Sequence, residues 1–142
     1  MSAADKTVSR RFTELFNTDD TSLADDVFAP DVVFHGLGPD MRGIDAAKAF
    51  VARFRSAFPD NRSTVEAQIA EGDTVATRWR ARGTHQGPFG SLPATGRPVD
   101  IGGVTIERFT DGRIAEVWVV MEELGLMRQL GVVPDHQPVA TA

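Results

Sequence analysis

His35 closes the β-branched run DVVFH just before a glycine-rich segment. An imidazole in that place can be presented to a cavity, and its ordinary pKa suits general acid–base work. The same position equally fits a strand-end histidine that is hydrogen-bonded and does no chemistry. Glu122 opens the last helical segment, where the helix dipole alone favours a carboxylate, although the side chain could also reach a cavity mouth. His85 and Phe89 lie in GTHQGPFGSLPATG, residues 83–96, whose four glycines and two prolines suggest a shaped rim over a pocket. A loop imidazole often does no more than tie down neighbouring carbonyls. Trp79 stands opposite Arg78, Arg80 and Arg82 on one strand: the arginines read as solvated or paired with the acidic surplus, and the indole as core or as a stacking wall for a flat ligand. His136 is given no role.

Other chemistries are set aside. The rim lacks the Lys and Ser/Thr order of a phosphate loop, and there is no HExxH, no GxSxG elbow and no dinucleotide fingerprint. Three scattered histidines without ligand spacing point to no metal site, and no cofactor is expected. The chain has no cysteine, which removes disulfide and thiolate chemistry. A net charge of −5 without a Lys/Arg cluster argues against nucleic acid. No apolar run approaches the ~18 residues of a membrane span and the opening lacks a secretory core, so a soluble, cytoplasmic protein is expected.

These residues must be held by elements that the pattern locates. At 142 residues the chain is expected to be one domain, residues 1–133, with a flexible tail at 134–142. Val8, Phe12, Leu15 and Phe16 recur at helical spacing to about Asn17. Thr21 or Ser22 caps a short second helix that Pro30 stops, and residues 31–35 form a strand. Ile44, Ala47, Phe50, Val51, Phe54 and Phe58 line one face of a longer helix ended by Pro59. Four strand-like runs follow, punctuated by Gly72–Asp73, the rim and Asp111–Gly112, and a short helix at 124–130 closes the chain. Helices followed by an antiparallel meander give an α+β fold with the helices on one face of a curved sheet.

If Asp111–Gly112 is a two-residue turn, Ile106 pairs with Val117 and Val104 with Val119. One face then carries Gly102, Val104, Ile106, Ala115, Val117, Val119 and Met121, an apolar pocket wall. The other carries Thr105, Glu107, Phe109, Ile114, Glu116, Trp118 and Val120, a mixed outer surface on which Glu107 opposes Glu116 and both are exposed.

The runs GTHQGPFGSLPATG, ERFTDGRIAEVW and LGLMRQLGV, with DVVFH, AFPD and EGDTVATRW, resemble the SnoaL-like polyketide cyclases over residues 5–133. The resemblance implies a cone-shaped barrel of the nuclear transport factor 2-like kind and a metal-free, cofactor-free intramolecular aldol closure of aromatic polyketides. It implies a small hydrophobic or aromatic substrate and, commonly, a homodimer, for which Trp118 on the outer face is suited. The family's acid/base Asp corresponds here to Val119, the preceding His to Val117, and a further Asp to Glu122, while His35, His85, Trp79 and Trp118 match family positions. The candidate catalytic residues are thus His35 and Glu122. The candidate substrate-binding residues are Phe50, Phe54, Trp79, His85, Phe89, Val104, Val117, Val119 and Met121. Three activities stay open: a cyclase or isomerase with a relocated base, a noncatalytic binder of the same ligands, and an oxygen-dependent hydroxylase.

Overall fold

The computed structural model describes residues 2–133; the expected flexible tail at 134–142, including His136, lies outside the described residues. The amphipathic first segment forms α1, Ser2–Glu14, tightened into a 3-10 turn at Leu15–Asn17. The second helix is shorter than the sequence suggests, a 3-10 turn at Thr21–Leu23 running into α2, Ala24–Val27. Its cap is Asp20, whose side chain accepts from the Ser22 N–H at 2.9 Å. Pro30 does not stop it. β1, Phe28–His35, has already begun, and Pro30 sits inside it.

β2, Met41–Arg42, went unread because two residues carry no periodicity. α3, Ile44–Ala57, follows, and then β3, Arg62–Glu71, β4, Thr74–Thr84, β5, Pro98–Thr110, β6, Arg113–Met121, and α4, Glu123–Gln129. The strands make one mixed six-stranded sheet in the order β2-β1-β6-β5-β4-β3, with β1 parallel to β6 and all other pairs antiparallel. The architecture is α+β as expected, but the sheet ends in two free edges, β2 and β3, and does not close into a barrel. Among the described residues no helix is long and apolar enough to cross a membrane.

The β5–β6 hairpin turns at Asp111 and Gly112, whose φ values of 51° and 78° are those of a two-residue turn that matches strand twist. Near the turn the expected register holds, with Thr110 opposite Arg113 and Phe109 opposite Ile114. Ala115 is then an extra residue on β6, a bulge, and from Arg108–Glu116 onward every pairing shifts by one. Because side chains alternate, that shift exchanges faces. Val117, Val119 and Met121 do face the helices, but their partners are Glu107, Thr105 and Gly103. Val104 and Ile106 face outward beside Val120 and Trp118, and Phe109 and Ile114 are buried. Glu107 is 0% exposed and lies opposite Val117, whereas Glu116 pairs with Arg108.

The inner face meets the helices through two apolar clusters. Phe12, Phe28 and Phe34 pack edge to face at 5.3–5.9 Å in the first. Phe58, Ile101 and Leu126 anchor the second. On the outer face Ile69, Ala76, Ile106, Trp118 and His35 follow one another across five strands in a single row. Ile69, Ile106 and Trp118 in that row are exposed.

Candidate active site

A cavity lies between the inner face of the sheet and the helices α1, α3 and α4. Its volume is ≈ 100 Å³. α1 supplies Phe12, Thr13 and the adjoining Phe16; α3 supplies Phe50, Val51 and Phe54. The strands add Trp79 from β4, Ile101 and Thr105 from β5, and Val119 and Met121 from β6. Phe89 from the rim and Leu37 from the β1–β2 loop complete the mouth. The hydroxyls of Thr13, Ser63 and Thr105 and the Trp79 indole N–H are the polar side-chain groups of this lining.

Two close backbone approaches place the mouth. Gly36 has φ 99°, and a Cβ there would stand 2.2 Å from the Val119 carbonyl oxygen, so only glycine lets the chain turn over Val119 and deliver Leu37. At Gly87 a Cβ would meet the Ser56 carbonyl at 2.1 Å. The Gln86 and Gly87 N–H groups both donate to the Ala57 carbonyl, which stitches the rim to the end of α3 and brings Phe89 over the cavity.

Of the residues expected from the sequence, Phe50, Phe54, Trp79, Phe89, Val119 and Met121 come together on this cavity. The others do not. Val117 is buried in the core beneath it, and Val104 is 37% exposed on the outer face, put there by the Ala115 bulge. His85 is fully buried but works on the rim: its Nδ1 accepts from the Thr95 N–H at 3.1 Å and lies 2.9 Å from Thr95 Oγ1, while its ring packs on Phe58. Glu122 is exposed at the N-cap of α4, outside the lining.

His35 is the main correction. It pairs with Trp118 and shares its outer face, so the sheet separates its ring from the cavity. Nε2 lies 2.6 Å from Glu116 Oε2 and Nδ1 lies 3.0 Å from Asp40 Oδ1, with the ring stacked on Trp118 at 5.4 Å. The Glu116 and Asp40 hydrogen bonds raise the imidazole above its ordinary value, and the His35 bond, then Arg108, lowers Glu116. This is a surface charge cluster, not a base at the cavity.

Sequence reasoning missed the buried polar layer beside the cavity floor. Glu107 Oε1 accepts a hydrogen bond from Ser9 Oγ, with Thr77 Oγ1 at 3.4 Å. Ser9 Oγ and Thr77 Oγ1 are themselves 2.7 Å apart, and Glu107 Oε2 has no hydrogen-bond partner. Burial pushes the Glu107 carboxyl up to about 7, against the hydrogen bonds from Ser9 and Thr77 that pull it down. Its available signal was the odd polarity of Thr77, flanked by the apolar Val75 and Trp79 at strand period.

Comparison with known proteins agrees with this architecture. The chain is 31% identical over 131 residues to aklanonic acid methyl ester cyclase DnrD of Streptomyces peucetius, covering 86% of this chain and 87% of that one. TsrD of Streptomyces laurentii superposes with a TM-score of 0.85 at 30% identity, over 92% of this chain and 97% of TsrD. AclR of Streptomyces galilaeus, provisionally assigned as a hydroxylase, gives 0.83 at 31% identity over 96% and 86%. The model of the SnoaL-like polyketide cyclases matches residues 6–130, and the chain belongs to that family.

Proposed function

We propose that the protein is a cofactor-independent cyclase that closes a ring on an aromatic polyketide-type ketone inside this cavity. The lining carries the reading: Trp79, Phe50, Phe54 and Phe89 offer flat faces to a polycyclic ligand, and the polar groups among them are uncharged. Such walls exclude water and hold a flexible side arm folded over its ring system. That brings an enolisable carbon against a ketone carbon, and proximity of this kind supplies much of the rate of an intramolecular reaction. In the aldol step the carbon between two carbonyls loses its proton, its electron pair forms the new C–C bond, and the resulting alkoxide takes up a proton. No oxidation state changes overall, so no electron carrier enters the balance. With Val119 in the wall and His35 across the sheet, substrate folding is the larger part of this catalysis.

The test offers aklanonic acid methyl ester, the compound in the name of DnrD, in deuterated water. Protein-dependent ring closure is the expected result. Saturable binding with the compound returned unchanged and undeuterated would make the protein a carrier instead. The likeness to AclR supports a second reading, hydroxylation, which would show as product that gains oxygen mass and ceases to form under nitrogen.

We further propose a homodimer through the outer sheet face. The exposed row of Ile69, Ile106 and Trp118, with Val104 and Val120 beside it, is a flat apolar surface that a second copy can cover by a two-fold contact.

A further inference from the structure

Ser63 interrupts an apolar row of the cavity wall. It stands opposite Ala81 on β4, which stands opposite Ile101 on β5, and direct partners across a ladder share a face. All three line the cavity, so the register turns the Ser63 side chain inward.

Two asparagines hold it there. Asn17 grips the main chain: its Oδ1 accepts from the Ser63 N–H at 2.6 Å, and its Nδ2 donates to the Ser63 carbonyl at 2.9 Å. Asn61, itself buried, grips the side chain. Its Nδ2 donates to the Phe16 carbonyl at 2.9 Å and to Ser63 Oγ at 2.9 Å. A carbonyl only accepts, so the Phe16 bond fixes which end of the amide is nitrogen. Both protons of that nitrogen are then committed, one to each oxygen. Ser63 Oγ is therefore an acceptor toward Asn61, and its own proton must go elsewhere. That proton meets no acceptor among the described residues, and the open space beside the side chain is the cavity. A donor left unpaired among apolar walls costs free energy until a ligand supplies the acceptor.

We propose that Ser63 is a binding residue that donates a hydrogen bond to a carbonyl oxygen of the ligand, and that Asn61 is the positioning residue that occupies its lone pair and leaves its proton facing the cavity. The inference rests on the reading of the cavity as a site for an aromatic ketone, and it adds a preference to that reading. A ligand with a ketone or quinone oxygen at this point binds better than one with a bare ring edge. Ser63 stands on β3 and Val119 on β6, with β4 and β5 between them, so the contact holds the ring system by the end away from Val119.

Two flat probes separate this hydrogen bond from general packing: fluorenone, with one carbonyl, and fluorene, with the same rings and none. Ser63→Ala should weaken fluorenone binding about tenfold, the size of one hydrogen bond, and leave fluorene binding unchanged. The infrared carbonyl stretch of bound fluorenone should lie at lower wavenumber in the wild type and move back up in Ser63→Ala, a change that altered packing alone does not produce. Asn61→Asp places an acceptor-only carboxylate beside Ser63 Oγ, which takes the serine proton, and should cause the same loss and the same infrared reversal. Should Ser63→Ala not fold, Ser63→Cys, of similar shape and only a weak donor, carries the comparison. Equal losses for the two probes, a carbonyl band that stays in place between wild type and variant, or a folded Asn61→Asp that binds fluorenone as wild type does overturns the inference. None of these readouts needs turnover. Ring closure in a protein whose fluorenone binding ignores Ser63 removes this inference and leaves the cyclase, whereas Ser63-dependent binding without ring closure removes the cyclase alone.

Discussion

Thr105 and Val119 stand directly opposite each other on β5 and β6, and both line the cavity. One offers a hydroxyl, and the other offers only methyl groups. The cross-strand pair therefore gives this wall a hydroxyl and no carboxylate, and a neutral hydroxyl does not by itself remove a proton from carbon.

Val119→Asp places a carboxylate at the position where the family resemblance implies an acid/base. Ring closure of a keto ester is expected to accelerate by about a hundredfold, the lower range of general acid–base catalysis. The same change buries a polar group and should cost about 1–3 kcal/mol in stability. Single-turnover kinetics beside urea unfolding check both. A folded, ligand-binding variant with no gain in rate would show that proton transfer at this position does not limit the reaction.

Glu107 links pH to stability. Its carboxyl titrates at about 7 when folded against an ordinary 4.5, so the folded state holds the proton more tightly. Its contribution is full below the ordinary value and is lost as pH rises to about 7, a difference of about 3 kcal/mol. Glu107→Gln never ionises, so it should unfold at higher urea than wild type at about pH 9 and lose that advantage at about pH 5. Parallel unfolding curves at the two pH values measure it, and an equal gap at both would contradict the buried-acid account.

Much of the fold was open to reading because its elements are long and periodic: α3, β4 and the Asp111–Gly112 turn lie where apolar spacing and turn chemistry put them. The misplacement of Val104 and Glu107 traces to one residue. Ala115 carries nothing that marks it as a bulge, yet it exchanges the faces of β6 relative to β5 and so sends Val104 outward and Glu107 inward. A register argument extrapolated from a turn fails at the first unseen bulge. The face of His35 was equally hidden, since it is set by the parallel pairing of β1 with β6, a contact between segments 83 residues apart at His35 and Trp118.

His35 on the outer face should leave cavity binding alone. His35→Gln is expected to bind fluorenone as wild type does. In the native protein the Glu116 and Asp40 bonds hold the imidazole above 6.5, so its stabilising effect is present below that value and lost as pH rises through the folded midpoint. Proton NMR of the ring should give that midpoint, and Trp118 emission, with the imidazole stacked on it, should rise as the proton leaves. A midpoint at or below 6.5 would break the assigned cluster.

Val120 projects from the outer face and is 72% exposed, next to Val104 and Trp118. Val120→Lys should convert a dimer to a monomer in sedimentation experiments while the monomer keeps its fold, since the side chain touches no core cluster. A wild-type protein that sediments as a monomer at high concentration would remove the outer face as a subunit contact.

Gly103 lies opposite Trp79 on the inner face, and a Cβ there would stand 2.4 Å from the indole ring and 2.7 Å from the Val120 carbonyl. The backbone neighbour cannot yield, so in Gly103→Ala the indole must move, and the space open to it is the cavity that it lines. Stability should fall by about 1–3 kcal/mol from overpacking, and aromatic ligands should bind at least tenfold more weakly as the ring takes their place. Trp79→Phe in the same background relieves the contact with the indole but not that with the Val120 carbonyl, and it should restore part of the stability together with part of the binding. Urea unfolding and fluorenone titration of the single and double variants give the coupling between the two positions. Independent effects, with no rescue in the double variant, would mean that Trp79 does not rest on Gly103 in solution.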